Sequence, residues 1–170
     1  WGHANPDINN AIKEQLDTLE HLILAGFSHE PIVTLSEKLL ALAPKGLARC
    51  FYADNGSAAI EVALKMSMHF WHNQGETAKT RFVSLSGSYH GETLGALSVT
   101  DIPLFSQTYA SLLTQQYRVP SPDWTQAPDG VTPEAFARQQ FLAMETLLAE
   151  KHPEICAVIV EPLIQGAAGM

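Results

Sequence analysis

The sequence predicts an α/β domain with a mostly parallel sheet flanked by helices and preceded by N-terminal helices. Three observations carry this. Strand-like runs at 49–53, 81–85 and 156–160 alternate with helical patterns, the order of strands joined by crossovers. The last run, Cys156-Ala157-Val158-Ile159-Val160, is five apolar residues in succession, as a strand buried on both faces requires. Each run ends in a polar or Gly-rich turn, and ligands of parallel sheets bind beyond the carboxyl ends of the strands.

The elements follow in order. From Pro6 to about Leu24, Ile8, Ile12, Leu16, Leu19 and Ile23 recur at helical spacing behind an Asn5 cap. Ala25-Gly26-Phe27-Ser28 breaks that pattern, and Pro31 opens a second helix carrying Leu35, Leu39, Leu40 and Leu42, stopped at Pro44-Lys45-Gly46. Arg49-Cys50-Phe51-Tyr52-Ala53 is the first strand expected. It runs through Asp54-Asn55-Gly56-Ser57 into a helix over 58–71, with Ile60, Ala63, Leu64, Met68 and Trp71 on one side. Arg81–Leu85 is the second strand, ending in Ser86-Gly87-Ser88-Tyr89-His90-Gly91, and a short helix is expected over 93–99. Prolines 103, 120, 122 and 128 mark 101–130 as a largely irregular connection holding one short helix or strand. Thr132-Pro133-Glu134 starts a helix that reaches Lys151, and the third strand follows. The expected division is a helical segment over 1–46 and a sheet-bearing domain over 47–170.

Composition narrows the function classes. The chain has 170 residues, 46% hydrophobic and 16% charged, a globular balance. Its net charge of −8 argues against nucleic acid or an anionic membrane as partner, since both call for clustered Lys and Arg. No apolar run is long enough to span a bilayer. Cys50 and Cys156 are far apart and without metal-ligand spacing, so a reducing, cytoplasmic compartment is expected. His69 and His72 share a helix face but lack a third ligand, and no metal site is expected.

Candidate chemistry sits at the three strand ends. Asp54-Asn55-Gly56-Ser57 combines a glycine for close approach, a hydroxyl and a helix start with free N–H donors, which suits a phosphate monoester. The same residues are also ordinary cap and turn residues. Tyr89, with Gly91 beside it, offers a ring to lie against a planar heteroaromatic ligand, or simply to pack over the sheet end. Glu161 either orients a ligand group, pairs with an arginine or caps a helix. Ser57 lacks the Gly-x-Ser-x-Gly turn of a hydrolase nucleophile.

These loops, in this order, resemble those of the class III, fold-type I aminotransferases that depend on pyridoxal 5′-phosphate (PLP). The matching stretches are Gly2–Pro6, HLILAGFSHEP from His21 to Pro31, DNGSAAIEVALKM from Asp54 to Met66, GSYHGET from Gly87 to Thr93, and EPLIQGAAGM from Glu161 to Met170. Within the family, AGFSHEP favours the biotin-pathway branch. That branch uses S-adenosylmethionine as amino donor and 8-amino-7-oxononanoate as acceptor. The resemblance implies that 47–170 is the first part of the PLP-binding large domain and that the parent enzyme is a homodimer. It implies that Gly56 and Ser57 contact the PLP phosphate and that Tyr89 lines the cofactor and substrate pocket. Leu24-Ala25-Gly26 resembles a segment that reaches a neighbouring subunit's site, and Glu161 lies near the pocket.

There are departures. Glu92 stands where the branch usually has Asp, and Ala168 where it usually has Gly. Ala167 replaces the Glu of many ω-aminotransferases, which fits the branch. Trp1 directly precedes Gly2 and takes no role of the family's tryptophan pair. The family's Schiff-base lysine and the aspartate facing the pyridine nitrogen lie downstream of the Gln-Gly-Ala motif. No catalytic residue is therefore expected among Lys13, Lys38, Lys45, Lys65, Lys79 and Lys151, and the chain alone is expected to be inactive. The alternatives are another class III ω-amino-acid aminotransferase and a non-catalytic module that binds a phosphorylated ligand.

Overall fold

The computed structural model describes residues 1–169, which fall into two compact units, Trp1–Phe51 and a second from Tyr52 onward. The first unit holds two helices, α1 (Pro6–Thr18) and α2 (Glu30–Leu42). Asn5 caps α1 by accepting from the Asp7 and Ile8 amides at 3.0 and 3.2 Å. The helix stops at Thr18, short of the Leu24 expected from its apolar spacing. Two side chains close it there: Thr18 Oγ1 donates back to the Glu14 carbonyl, and Gln15 Nε2 donates to the Leu19 carbonyl at 2.7 Å. Ile8, Ile12 and Leu16 are all exposed, so no burial draws the helix further.

The second unit is built on three parallel strands, β1 (Arg81–Leu85), β2 (Tyr117–Val119) and β3 (Ile155–Val158), in the order β2-β1-β3. Val83 and Leu85 of β1 lie opposite Tyr117 and Val119, and on the other side Phe82 lies opposite Ala157. Helices surround the sheet: α3 (Gly56–Asn73), α4 (Leu94–Val99), the short α5 (Pro103–Ser106) and α6 (Pro133–Lys151). The alternation of β1 decides the two cores. Phe82 packs with Leu64 of α3, Val99 of α4 and Cys156. Val83 and Leu85 point the other way, joining Val119, Ile155 and the Met144, Leu147 and Leu148 side chains of α6. At the amino end of the strands, Trp71 Nε1 donates to the Cys156 carbonyl at 2.7 Å, and Lys79 lies over the Trp71 ring, 4.5 Å from its centre.

Two expectations change. Residues 49–53 are not a strand: they take part in no ladder, and Phe51 is exposed. A strand is made by a paired neighbour, and among the described residues the three strands of the sheet pair only with one another. The connection after Asp101 instead supplies the third strand, β2, only three residues long and followed and preceded by 3-10 turns. The run at 156–160 is a strand from Ile155 to Val158, buried at Ile155 and Cys156 but exposed at Val158 and, beyond it, at Val160, so it is not the fully buried strand its five apolar residues predict.

Candidate functional site

Because all three strands run in parallel, their carboxyl ends open on one rim, where four segments are bonded together. Helix α3 starts there. Asn55 Oδ1 accepts from the Ala58 amide at 2.8 Å and the Asn55 carbonyl from Ala59 at 3.1 Å. The Gly56 and Ser57 amides are left without an acceptor among the described residues, at the positive end of an 18-residue helix. Space around Gly56 is open: a Cβ there would meet nothing within 4 Å.

The turn after β1 lies against this start. Ser57 Oγ accepts from the Glu92 amide at 3.1 Å, which leaves the hydroxyl proton free for a ligand. Gly91 has φ +128° and a Cβ on it would stand 2.3 Å from Ser57 Oγ, so only glycine allows the approach. Tyr89 is half-buried. Its ring meets Phe105 edge-on at 5.5 Å between centres, and its hydroxyl donates to Glu92 Oε1 at 2.9 Å. That bond to a carboxylate, with some burial and the Glu92 charge, raises the phenol pKa above the ordinary value.

The turns after β2 and β3 complete the rim. Glu161 accepts from the Tyr89 amide at 2.9 Å through one oxygen and from the Gly166 amide at 3.1 Å through the other. Glu161 thus clasps two loops, a role the sequence did not suggest. Gln165 is buried, donates to the Ser86 carbonyl at 2.9 Å and accepts from Ser121. Below the rim, His90 is buried with Nε2 unpartnered among the described residues; its amide donates to Thr100 Oγ1 at 2.9 Å. Burial lowers the His90 pKa, with Glu161 opposing and Arg118 assisting.

Gly56, Ser57 and Tyr89, the residues singled out by sequence, therefore belong to one constellation. Gln165, Thr100 and Glu61 also build it and were not singled out, although Gln165 and Glu61 lay inside quoted motifs. The donor set suits a planar group bearing a phosphate: free N–H groups at a helix start, a hydroxyl, an open approach over glycine and an aromatic ring beside it.

The model of the family "Aminotransferase class-III" matches residues 1–170. The chain belongs to the class-III aminotransferases. Members of this family are PLP-dependent. Among relatives, the adenosylmethionine-8-amino-7-oxononanoate aminotransferase of Geobacter sulfurreducens is 41% identical over 170 residues, 99% of this chain and 38% of the relative. The enzyme of that name from Helicobacter pylori is 44% identical over 171 residues, 100% of this chain and 37% of the relative. Among solved structures, the adenosylmethionine-8-amino-7-oxononanoate aminotransferase of Methanocaldococcus jannaschii superposes with a TM-score of 0.86 at 32% identity, over 99% of this chain and 36% of that one. An amine transaminase from an uncultivated Pseudomonas species, in its PLP-bound form, gives 0.90 at 32% identity, over 99% and 38%. The chain thus spans a little over a third of the length of these class-III aminotransferases.

Proposed function

We propose that this chain forms the phosphate-gripping and ring-lining part of a PLP-dependent aminotransferase that moves an amino group from S-adenosylmethionine to 8-amino-7-oxononanoate. The observation that carries the cofactor reading is the approach of Gly91 to Ser57. It sets the Tyr89 turn against a helix start whose first two amides have no acceptor among the described residues. The names of the sequence relatives support the choice of substrates.

PLP, when bound, supplies the electron sink for loss of a proton from the carbon bearing the amino group. The chain's residues supply binding and orientation. The Gly56 and Ser57 amides and the Ser57 hydroxyl donate to the phosphate, favoured by the α3 dipole. Tyr89 would line the ring and exclude water from one side. Glu161 and Glu92 fix that side chain from its amide and its hydroxyl. No proton transfer is assigned to a side chain of this chain, and Lys79 is engaged at the other end of the sheet with the His152 and Ile155 carbonyls. The reading includes a homodimer acting in the cytoplasm.

The test is donor choice by the full-length protein with 8-amino-7-oxononanoate as acceptor, with the diamine product measured by mass spectrometry. Turnover with S-adenosylmethionine is the expected result. Turnover with ω-amino acids alone would move the protein to the second reading, another class-III aminotransferase, which the fold likeness to an amine transaminase favours. PLP uptake with no turnover by any donor would leave a binding module.

A further inference from the structure

Helix α3 holds the Tyr89 turn and the start of α4 that follows it at two places one helical turn apart. Ser57 takes the Glu92 amide. Four residues on, Glu61 Oε1 alone accepts three donors: Thr93 Oγ1 at 2.6 Å, the Gly95 amide at 2.7 Å and the Ala96 amide at 3.1 Å. The facing segment repeats the same spacing in glycines. A Cβ on Gly91 would stand 2.3 Å from Ser57 Oγ, and one on Gly95 would stand 2.2 Å from Glu61 Oε2. Residues four apart lie on one helix face, so 91–96 is laced to a single stripe of α3. Burial disfavours the Glu61 charge, but the bonds from Thr93, Ala96 and Gly95, helped by Lys65, outweigh it and hold its pKa below the ordinary value. Glu61 lies beyond the first turn of α3 and has no contact with the ligand-facing amides.

We propose that Glu61 is a positioning residue for the cofactor. By anchoring the start of α4, where the Tyr89 turn ends, it fixes that turn at one distance from the Gly56–Ser57 start, so that phosphate donors and ring neighbour are in place before PLP arrives. This deepens the PLP reading above and rests on it. Without Glu61 the turn is held to α3 by the single Ser57–Glu92 bond, and Ser57 must both restrain the loop and serve the phosphate. Since one oxygen accepts all three bonds, a glutamine presenting its carbonyl oxygen at that place preserves them, whereas alanine removes them.

The experiment measures the PLP dissociation constant and the circular dichroism of bound PLP in full-length wild type, Glu61→Ala, Glu61→Gln and Thr93→Val. Expected is a dissociation constant raised about ten-fold or more in Glu61→Ala, with weakened cofactor dichroism, from losing a three-donor acceptor. Glu61→Gln should stay close to wild type and Thr93→Val should fall between. If Glu61→Ala does not fold, the Thr93→Val and Glu61→Gln pair carries the same comparison. Wild-type affinity and dichroism in the alanine variant, or in Thr93→Val if alanine is lost, overturn the proposal. So does equal impairment of the alanine and glutamine variants, which would assign the effect to charge. A wild-type protein that takes up no PLP would instead sink the functional reading, and the positioning role with it.

Discussion

Tyr89 shows how a single side chain is shaped by the bonds around it. Its hydroxyl donates to Glu92 Oε1, its amide to Glu161 and its ring packs on Phe105, so both ends and the middle are restrained. The hydrogen bond to Glu92 raises the phenol pKa because ionisation would place two negative groups 2.9 Å apart. The sign follows. A phenol raised in the folded state contributes stability present in full below the ordinary phenol pKa and lost as pH rises through the raised value. Subtracting the Tyr89→Phe spectrum from wild type isolates the Tyr89 phenolate absorbance near 295 nm. Its onset is expected at higher pH than in the unfolded chain, and removing the acceptor with Glu92→Gln should bring it back down. An onset at the unfolded-chain position would mean that the bond does not persist in solution. Glycine and tyrosine at a strand end were legible in the sequence because their unusual chemistry sits at a turn. Glu61 was not, since beside Lys65 it has the look of a solvated helix pair, and the donors it serves lie more than thirty residues away.

At the level of elements, β1 and α6 were read within a residue or so because their patterns are long and their ends are marked, by Thr132-Pro133 for α6. The strand expected at 49–53 was misjudged, and the pattern over 101–130 does not choose between a short helix and a strand, for one reason: propensity describes a segment, whereas a strand is made by its neighbour. Tyr117-Arg118-Val119 is too short to show a period and carries an arginine in its middle. That arginine makes β2 belong where it is. Arg118 Nη2 donates to the Ser98 and Thr100 carbonyls at 2.6 and 3.1 Å, and its Nε lies 3.7 Å from Asp101. It thereby ties β2 to the end of α4, and Thr100 in turn supports the His90 and Gly91 backbone. Arg118→Met keeps much of the packing but leaves two carbonyls without this donor, a loss of about 2 kcal/mol. Urea unfolding should show that decrease, and hydrogen exchange at the His90 amide should quicken. Unchanged exchange there would break the link between β2 and the rim.

The whole molecule shows a mismatch between its hydrophobicity and its core. Nearly half of the residues are hydrophobic, yet among the described residues only eleven apolar side chains are buried, almost all on the sheet and the two helices packed on α3's side. Large apolar groups stand exposed on nearly every helix, among them Leu42, Phe70, Leu104 and Leu142, and Leu163 is 98% accessible. The sequence foretold the α/β class and the clustering of loops on one rim, because these follow from alternation and parallel direction. It gave no sign of this exposure, since periodicity marks an apolar face without saying what covers it. Monomeric soluble proteins rarely leave such area open. The 170 residues produced alone are therefore expected to bind the dye ANS strongly and to elute above the volume of an 18.5 kDa monomer. The full-length protein, whose relatives are more than twice as long, should bind far less dye per chain. The comparison needs both proteins at equal molar concentration, below and above about 10 μM, where transient exposed apolar surface begins to drive association. Strong, equal dye binding by both would mean that these faces stay open in the full-length protein. Weak binding by the isolated 170 residues would mean that they repack into a core different from the one described.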